Sequence, residues 1–166
     1  MATLSGSRIR ATSIWRMAAP LEALVNPPFA SDPPIKISLD ARIIGLVIAV
    51  LSALVGLLVL LTLLALLGIG YQASYGSIFI LDLVDVLLNL LADALGLIGG
   101  IQMLRGNAAG RRLVVYGLAL AFVIQVALGL GFGTGASAIV TLVLLVILYY
   151  AVVVSRFPGE VLAPNR

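Results

Sequence analysis

The chain has 166 residues, of which 62% are hydrophobic and 10% are charged, and its formal net charge is +3. Soluble domains carry about a quarter charged residues, so this composition excludes an ordinary soluble fold and indicates an integral membrane protein. The chain contains no Cys and no His, which excludes disulfides, thiolate nucleophiles and imidazole chemistry. We expect no catalytic residue, no cofactor and no bound metal.

Residues 1–40 are predicted to form a cytoplasmic segment. Between Ser13 and Val25 the apolar residues share one helical face, which predicts either a short amphipathic helix on the membrane surface or a tail without fixed structure. We expect no cleaved signal peptide, because no apolar run of that type precedes Ile43. Four prolines then favour an extended connector, namely Pro27, Pro28, Pro33 and Pro34.

Four apolar runs follow, each close to or longer than the roughly 20 residues that a helix needs to cross a bilayer. They predict an all-α membrane protein, a four-helix bundle made of two hairpins. Asp40 or Ser38 is the predicted N-cap of the first helix. Within a membrane domain at 41–156, the predicted spans are 43–67, 78–104, 113–130 and 136–155, and a cytoplasmic tail follows at 157–166.

The basic residues predict the orientation of these spans. All ten Lys and Arg residues lie before the first span, between the second and third spans, or after the fourth. By the positive-inside rule, both termini and the loop Arg105–Arg112 are expected in the cytoplasm. This basic face suits an anionic inner leaflet. We expect no nucleic-acid binding, because the chain has no folded basic domain.

One face of the second predicted span carries three acidic side chains, one amide and two glycines, and we call this face the acidic stripe. Its members repeat every three or four residues and therefore fall within about 80° of arc on a helix. Asp93 lies near mid-membrane, and no span contains Lys, Arg or His, so we expect its carboxyl to keep a proton and to be hydrogen-bonded. The stripe consists of Asp82, Asp85, Asn89, Asp93, Gly96 and Gly100.

We expect the acidic stripe to face another helix, because carboxyl groups exposed to lipid would cost several kcal/mol each. Helices of this chain can cover it, with Gln125, Tyr149 and Tyr150 as hydrogen-bond partners. Alternatively, a foreign subunit docks in a notch at Gly96 and Gly100.

Small residues also recur every four positions on other spans, which predicts close helix packing. The ladders are Gly45, Ala49 and Ala53, then Ser52 and Gly56, and on the third span Gly117, Ala121, Gln125 and Gly129.

The hairpin between spans two and three reads Gly100-Ile-Gln-Met-Leu-Arg-Gly106, followed by the pair Arg111 and Arg112. It resembles small four-span bacterial inner-membrane proteins that share a Gly-Ile-x-x-Leu-Arg-Gly hairpin and paired arginines. The resemblance covers less than half of the chain, and the loop lacks the Trp that such loops often contain. It implies a topology and a bacterial inner-membrane location, and it transfers no catalytic residue.

An enzyme is not expected. Paired carboxylates can hold Mg²⁺ for phosphotransfer, but Asp82 and Asp85 are predicted on the side opposite to every basic residue. The Asp-Gly-x-x-Ala-Arg core of the CDP-alcohol phosphotransferases is also absent. We predict a non-catalytic accessory or assembly subunit of a larger inner-membrane complex, bound to other membrane subunits or to itself. The alternative is a small oligomeric transporter, or a proton- or cation-conducting protein, that uses Asp93.

Overall fold

The computed structural model of the chain describes residues 22–30, 33–35, 39–70, 76–129 and 135–157. The chain divides into two compact units, Met1–Lys36 and Ile37–Arg166. In the first unit, residues 22–25 are helical and Pro28–Ala30 forms one turn of 3-10 helix. Most of the amphipathic segment predicted between Ser13 and Val25 lies outside the described residues.

The second unit is helical, and each long apolar run of the sequence forms one helix, which we number α1 to α4. α3 continues as a π-helix over Gln125–Gly129. The four helices are α1 (Ala41–Gly70), α2 (Gly76–Leu104), α3 (Ala109–Ile124) and α4 (Gly135–Val154).

Three of these helices are long and apolar enough to cross a membrane, which indicates a membrane protein. They cover Ala41–Gly68, Ala109–Ala127 and Ser137–Val154. α2 is not among these three helices, and it is the helix that carries the acidic stripe.

α3 begins at Ala109, four residues before the predicted span at 113–130. Just before the helix, the side chain of Asn107 accepts a hydrogen bond from the backbone N–H of Ala109 at 2.9 Å, which is compatible with this earlier start. Arg111 and Arg112 therefore lie on the first turn of α3 rather than in the loop.

α2 lies between α1 and α3, and α4 packs mainly against α3 with a smaller contact to α1. The best-packed core lies at one end of the unit. There Met103, Val114, Val115 and Val152 are fully buried. In contrast, no residue of α1 beyond Ala49 is buried among those whose side chains are described.

Backbone hydrogen bonds join the start of α1 to the end of α4 at this well-packed end. The N–H of Arg156 donates to the carbonyl of Leu39, and the N–H of Ala41 donates to the carbonyl of Arg156, both at 2.9 Å. Asp40 accepts a hydrogen bond from the N–H of Arg42 at 2.8 Å, which confirms it as the N-cap of α1. The guanidinium of Arg42 also lies beside Gly106 in the α2–α3 loop. The arginines near these helix ends therefore lie at one end of the unit.

Candidate functional site

The backbones of α1 and α2 approach most closely where a glycine on one helix meets a glycine on the other. A Cβ atom added at Gly45 would lie 2.7 Å from the carbonyl oxygen of Gly100, and one added at Gly100 would lie 2.7 Å from the carbonyl oxygen of Gly45. The Cβ atom added at Gly100 would also lie 2.8 Å from the backbone nitrogen of Ala49. Because these neighbours are backbone atoms, no side chain can be added without moving a helix.

The same interface continues along both helices in antiparallel order. Ser52 on α1 contacts the bare backbone of Gly96, where an added Cβ would overlap Ser52 Oγ. One turn farther along α1, a Cβ added at Gly56 would lie 3.3 Å from Asp93 Cβ. α1 of the same chain therefore covers the glycine half of the acidic stripe. It occupies the notch that the sequence analysis also offered to a foreign subunit.

A second set of glycines packs the other side of α2 against α3. A Cβ added at Gly99 would lie 2.8 Å from the carbonyl oxygen of Gly110. A Cβ added at Gly117 would lie 2.9 Å from the carbonyl oxygen of Ala92. α2 is thus held between two close helix contacts, which fix the direction of its polar side chains.

The acidic half of the stripe is progressively less covered away from the glycines. Asp82 is exposed, whereas Asp85, Asn89 and Asp93 are half-buried. The side-chain amide of Asn89 donates to the backbone carbonyl of Asp85 at 2.9 Å and to Asp85 Oδ1 at 2.8 Å. Asn89 therefore satisfies its donors on its own helix and does not bond to Asp93.

Asp93 lies on the wall of a cavity of about 290 Å³ to which all four helices contribute. Among the described residues, the Oδ2 atom of Asp93 is buried and has no hydrogen-bond partner. Gln125, at the start of the π-helix, and Thr141 on α4 also line this cavity. The remaining polar side chains on its wall are those of Ser52 and Asn89.

The structure brings together only some of the residues that the sequence analysis selected as hydrogen-bond partners. Gln125 shares the cavity with Asp93, but Tyr149 and Tyr150 do not line it and are half-buried elsewhere on α4. Across the described residues, no three Asp or Glu side chains are grouped closely enough to hold a metal ion.

A clamp at the well-packed end was missed by the sequence analysis. The Arg111 guanidinium donates to the carbonyl oxygen of Ser155 at 2.5 Å and lies 5.0 Å from the centre of the Phe157 ring. This cation–π contact and hydrogen bond tie the first turn of α3 to the chain after α4. The sequence signal was weak, because Arg111 also satisfies the positive-inside pattern.

Comparison with protein-family models, curated proteins and solved structures found no match for this chain. The resemblance of its Gly100–Gly106 hairpin to small four-span bacterial proteins therefore stays a prediction.

Proposed function

We propose that this protein is a non-catalytic accessory or assembly subunit of a larger complex in the bacterial inner membrane. The observation that carries the proposal is the apolar surface of α1 beyond Ala49. Leu54 and Leu64 are each 58% exposed, and Leu58 is 63% exposed. Helix faces that one chain leaves uncovered are available to other membrane subunits or to a second copy.

In this proposal all four helices span the membrane. α2 runs antiparallel to both α1 and α3 and lies between them, and only residues 105–108 separate it from α3. If its neighbours cross the bilayer, α2 crosses with them. Packing then shelters its acidic stripe at least partly from Asp85 to Gly100, whereas Asp82, near the start of the helix, stays exposed.

The arginine-rich end faces the cytoplasm in this arrangement, and both termini lie on that side. Arg42, Arg105, Arg112 and Arg156 are all exposed there. Exposed arginines at a membrane boundary satisfy the positive-inside rule and attract the anionic lipids of the inner leaflet.

Site-specific photocrosslinking in cells tests the proposed partner surface. A photoreactive residue at Leu58 should yield an adduct with another membrane protein or with a second copy of this chain. The same residue at Val123, which is 61% exposed on α3, is the control for unspecific proximity. Lipid adducts alone at both positions would contradict the proposal.

The cavity favours one second candidate, a small conducting protein or transporter that uses Asp93. Its carboxyl lies on a cavity between four helices, as proton and ion sites in membranes do. Proton flux into liposomes that contain only the purified chain separates the two functions. If the wild-type chain conducts and Asp93→Asn stops conduction, the accessory-subunit proposal is wrong.

A further inference from the structure

Three of the five polar side chains on the cavity wall, those of Asn89, Asp93 and Thr141, offer acceptor atoms, and the other two, Ser52 and Gln125, can both donate and accept. Asn89 uses its amide hydrogens on Asp85, so its own Oδ1 is left as an acceptor. Thr141 donates its hydroxyl to the carbonyl of Ser137 at 3.0 Å, and its oxygen can still accept. With the unpartnered Oδ2 of Asp93, the cavity therefore favours a ligand that donates hydrogen bonds.

None of the described residues supplies a cation to this cavity. Asp93 is the only ionisable residue among those that line it, and α1, α3 and α4 each contribute only neutral side chains. The sequence has no Lys or Arg between Arg42 and Arg105, or between Arg112 and Arg156. A carboxylate at this depth gains most from a positive partner, because charges interact strongly where water is excluded.

The rest of the wall is apolar. Leu51 and Val55 line it from α1, Leu118 from α3, and Leu145 and Leu148 from α4. A volume of about 290 Å³ is close to the lower limit of small-molecule pockets, about 300 Å³. An apolar wall with a few convergent polar groups is the usual form of such a pocket.

From this combination we infer that the cavity is a binding site for a small lipophilic ammonium. The ligand is an amine on an apolar body, with its N–H groups directed at Asp93 Oδ2 and its body against the leucines of α1 and α4. In the complex the ammonium pairs with the Asp93 carboxylate, and a proton carried by this carboxyl in the empty site is released to water. This inference goes beyond the proposed subunit role, since the site lies within one chain and needs no partner protein.

Binding to the purified chain in phosphatidylcholine nanodiscs tests the inference, because that lipid headgroup has no N–H donor to compete. The probe is 4-phenylbutylamine, and the neutral 4-phenylbutanol has the same apolar body. We expect the amine to bind at least ten-fold more tightly than the alcohol. Equal affinity for the two would overturn the inference, because it would show that the charge is not recognised.

Two variants, compared with a third as their control, locate the site. Asp93→Asn should weaken amine binding at least ten-fold, whereas Asp82→Asn, which removes the same charge from an exposed position, should leave binding unchanged. Leu145→Phe fills the cavity without touching Asp93 and should also weaken binding. It keeps the test decisive if Asp93→Asn does not fold. Amine affinity retained in a folded Asp93→Asn or Leu145→Phe variant would overturn the inference, as would an equal loss in Asp82→Asn.

Discussion

Asp93 differs from the other carboxyl groups of the acidic stripe in having a buried oxygen atom, Oδ2, without a hydrogen-bond partner among the described residues. Asp85 accepts from Asn89, and Asp82 is exposed, whereas the Oδ2 atom of Asp93 is buried beside α1. A buried polar atom without a partner does not stabilise a fold, so the presence of a carboxyl group at this position needs another explanation. A ligand or a proton pathway at this position would supply one.

Asp93→Asn should therefore leave the stability of the empty protein nearly unchanged. The amide has the same size as a protonated carboxyl and breaks no hydrogen bond to a described residue, so we expect a change below about 1 kcal/mol. Thermal unfolding in detergent measures it, with Asp85→Ala as the comparison because that variant loses a bond to Asn89. A loss as large as that of Asp85→Ala would show that Asp93 is structural.

Arg111 is expected to be the most important arginine for stability. Arg111→Met keeps most of the apolar stem but loses the hydrogen bond to Ser155 and the contact with Phe157. We expect a loss of about 1–3 kcal/mol from these two interactions. The neighbouring Arg112→Met removes the same charge from an exposed position and should cost little. Equal unfolding temperatures for the two variants would contradict the clamp.

At the scale of elements, α2 is the central helix, packed between α1 and α3. Glycines on two of its sides let α1 and α3 approach to backbone contact, which is how helices associate where burial in lipid supplies no hydrophobic drive. The cavity begins where these close contacts end and all four helices contribute to its wall. The glycine contacts thus position Asp93 as well as holding the fold together.

Gly100→Ala should separate α1 from α2. Its Cβ would meet the backbone at Gly45 and Ala49, which cannot rotate away as a side chain can, so we expect a loss of about 1–3 kcal/mol. Gly68→Ala is the matched control, since a Cβ there would meet nothing within 4 Å. Because alanine favours helix, that control should be neutral or slightly stabilising. Similar losses in both variants, measured by chemical unfolding, would contradict the close contact.

The sequence predicted where each helix lies better than it predicted which helices pack against each other. Apolar runs located each helix within a few residues, and the Gly45–Ala49 ladder correctly indicated a close helix contact. Periodicity identifies a face but carries no information on which helix will cover it. For that reason the sequence left open whether a helix of this chain or a foreign subunit covers Gly96, where the structure places Ser52 of α1.

The cavity could not be predicted for a related reason. It depends on residues from four helices that are far apart in sequence, and on the π-helix that begins at Gln125. The selection of Tyr149 and Tyr150 as partners followed from their polar groups alone, and the rotation of α4 places neither on the cavity wall.

At the largest scale, packing and charge are both distributed unevenly from one end of the membrane unit to the other. The well-packed end contains the largest of the fully buried side chains and the exposed arginines of the described residues, whereas α1 beyond Ala49 contains no buried residue among those described. In the proposed orientation, this firmly packed basic end lies at the cytoplasmic boundary of the membrane. The less covered apolar surface then contacts lipid and the proposed partner subunits.

Cysteine labelling in intact cells tests this orientation, and the chain has no native Cys to interfere. Gly106 is a poor labelling position because its φ of 80° disfavours a side chain, whereas Ala108, two residues further on, is exposed and has ordinary helical angles. We expect Ala108→Cys to resist a membrane-impermeant maleimide until the cells are opened. Ser74→Cys, between the first two helices of the membrane unit, should react at once in intact cells. Labelling of Ala108→Cys in intact cells would reverse the orientation and place the arginine-rich end outside, against the distribution of charge along the whole chain.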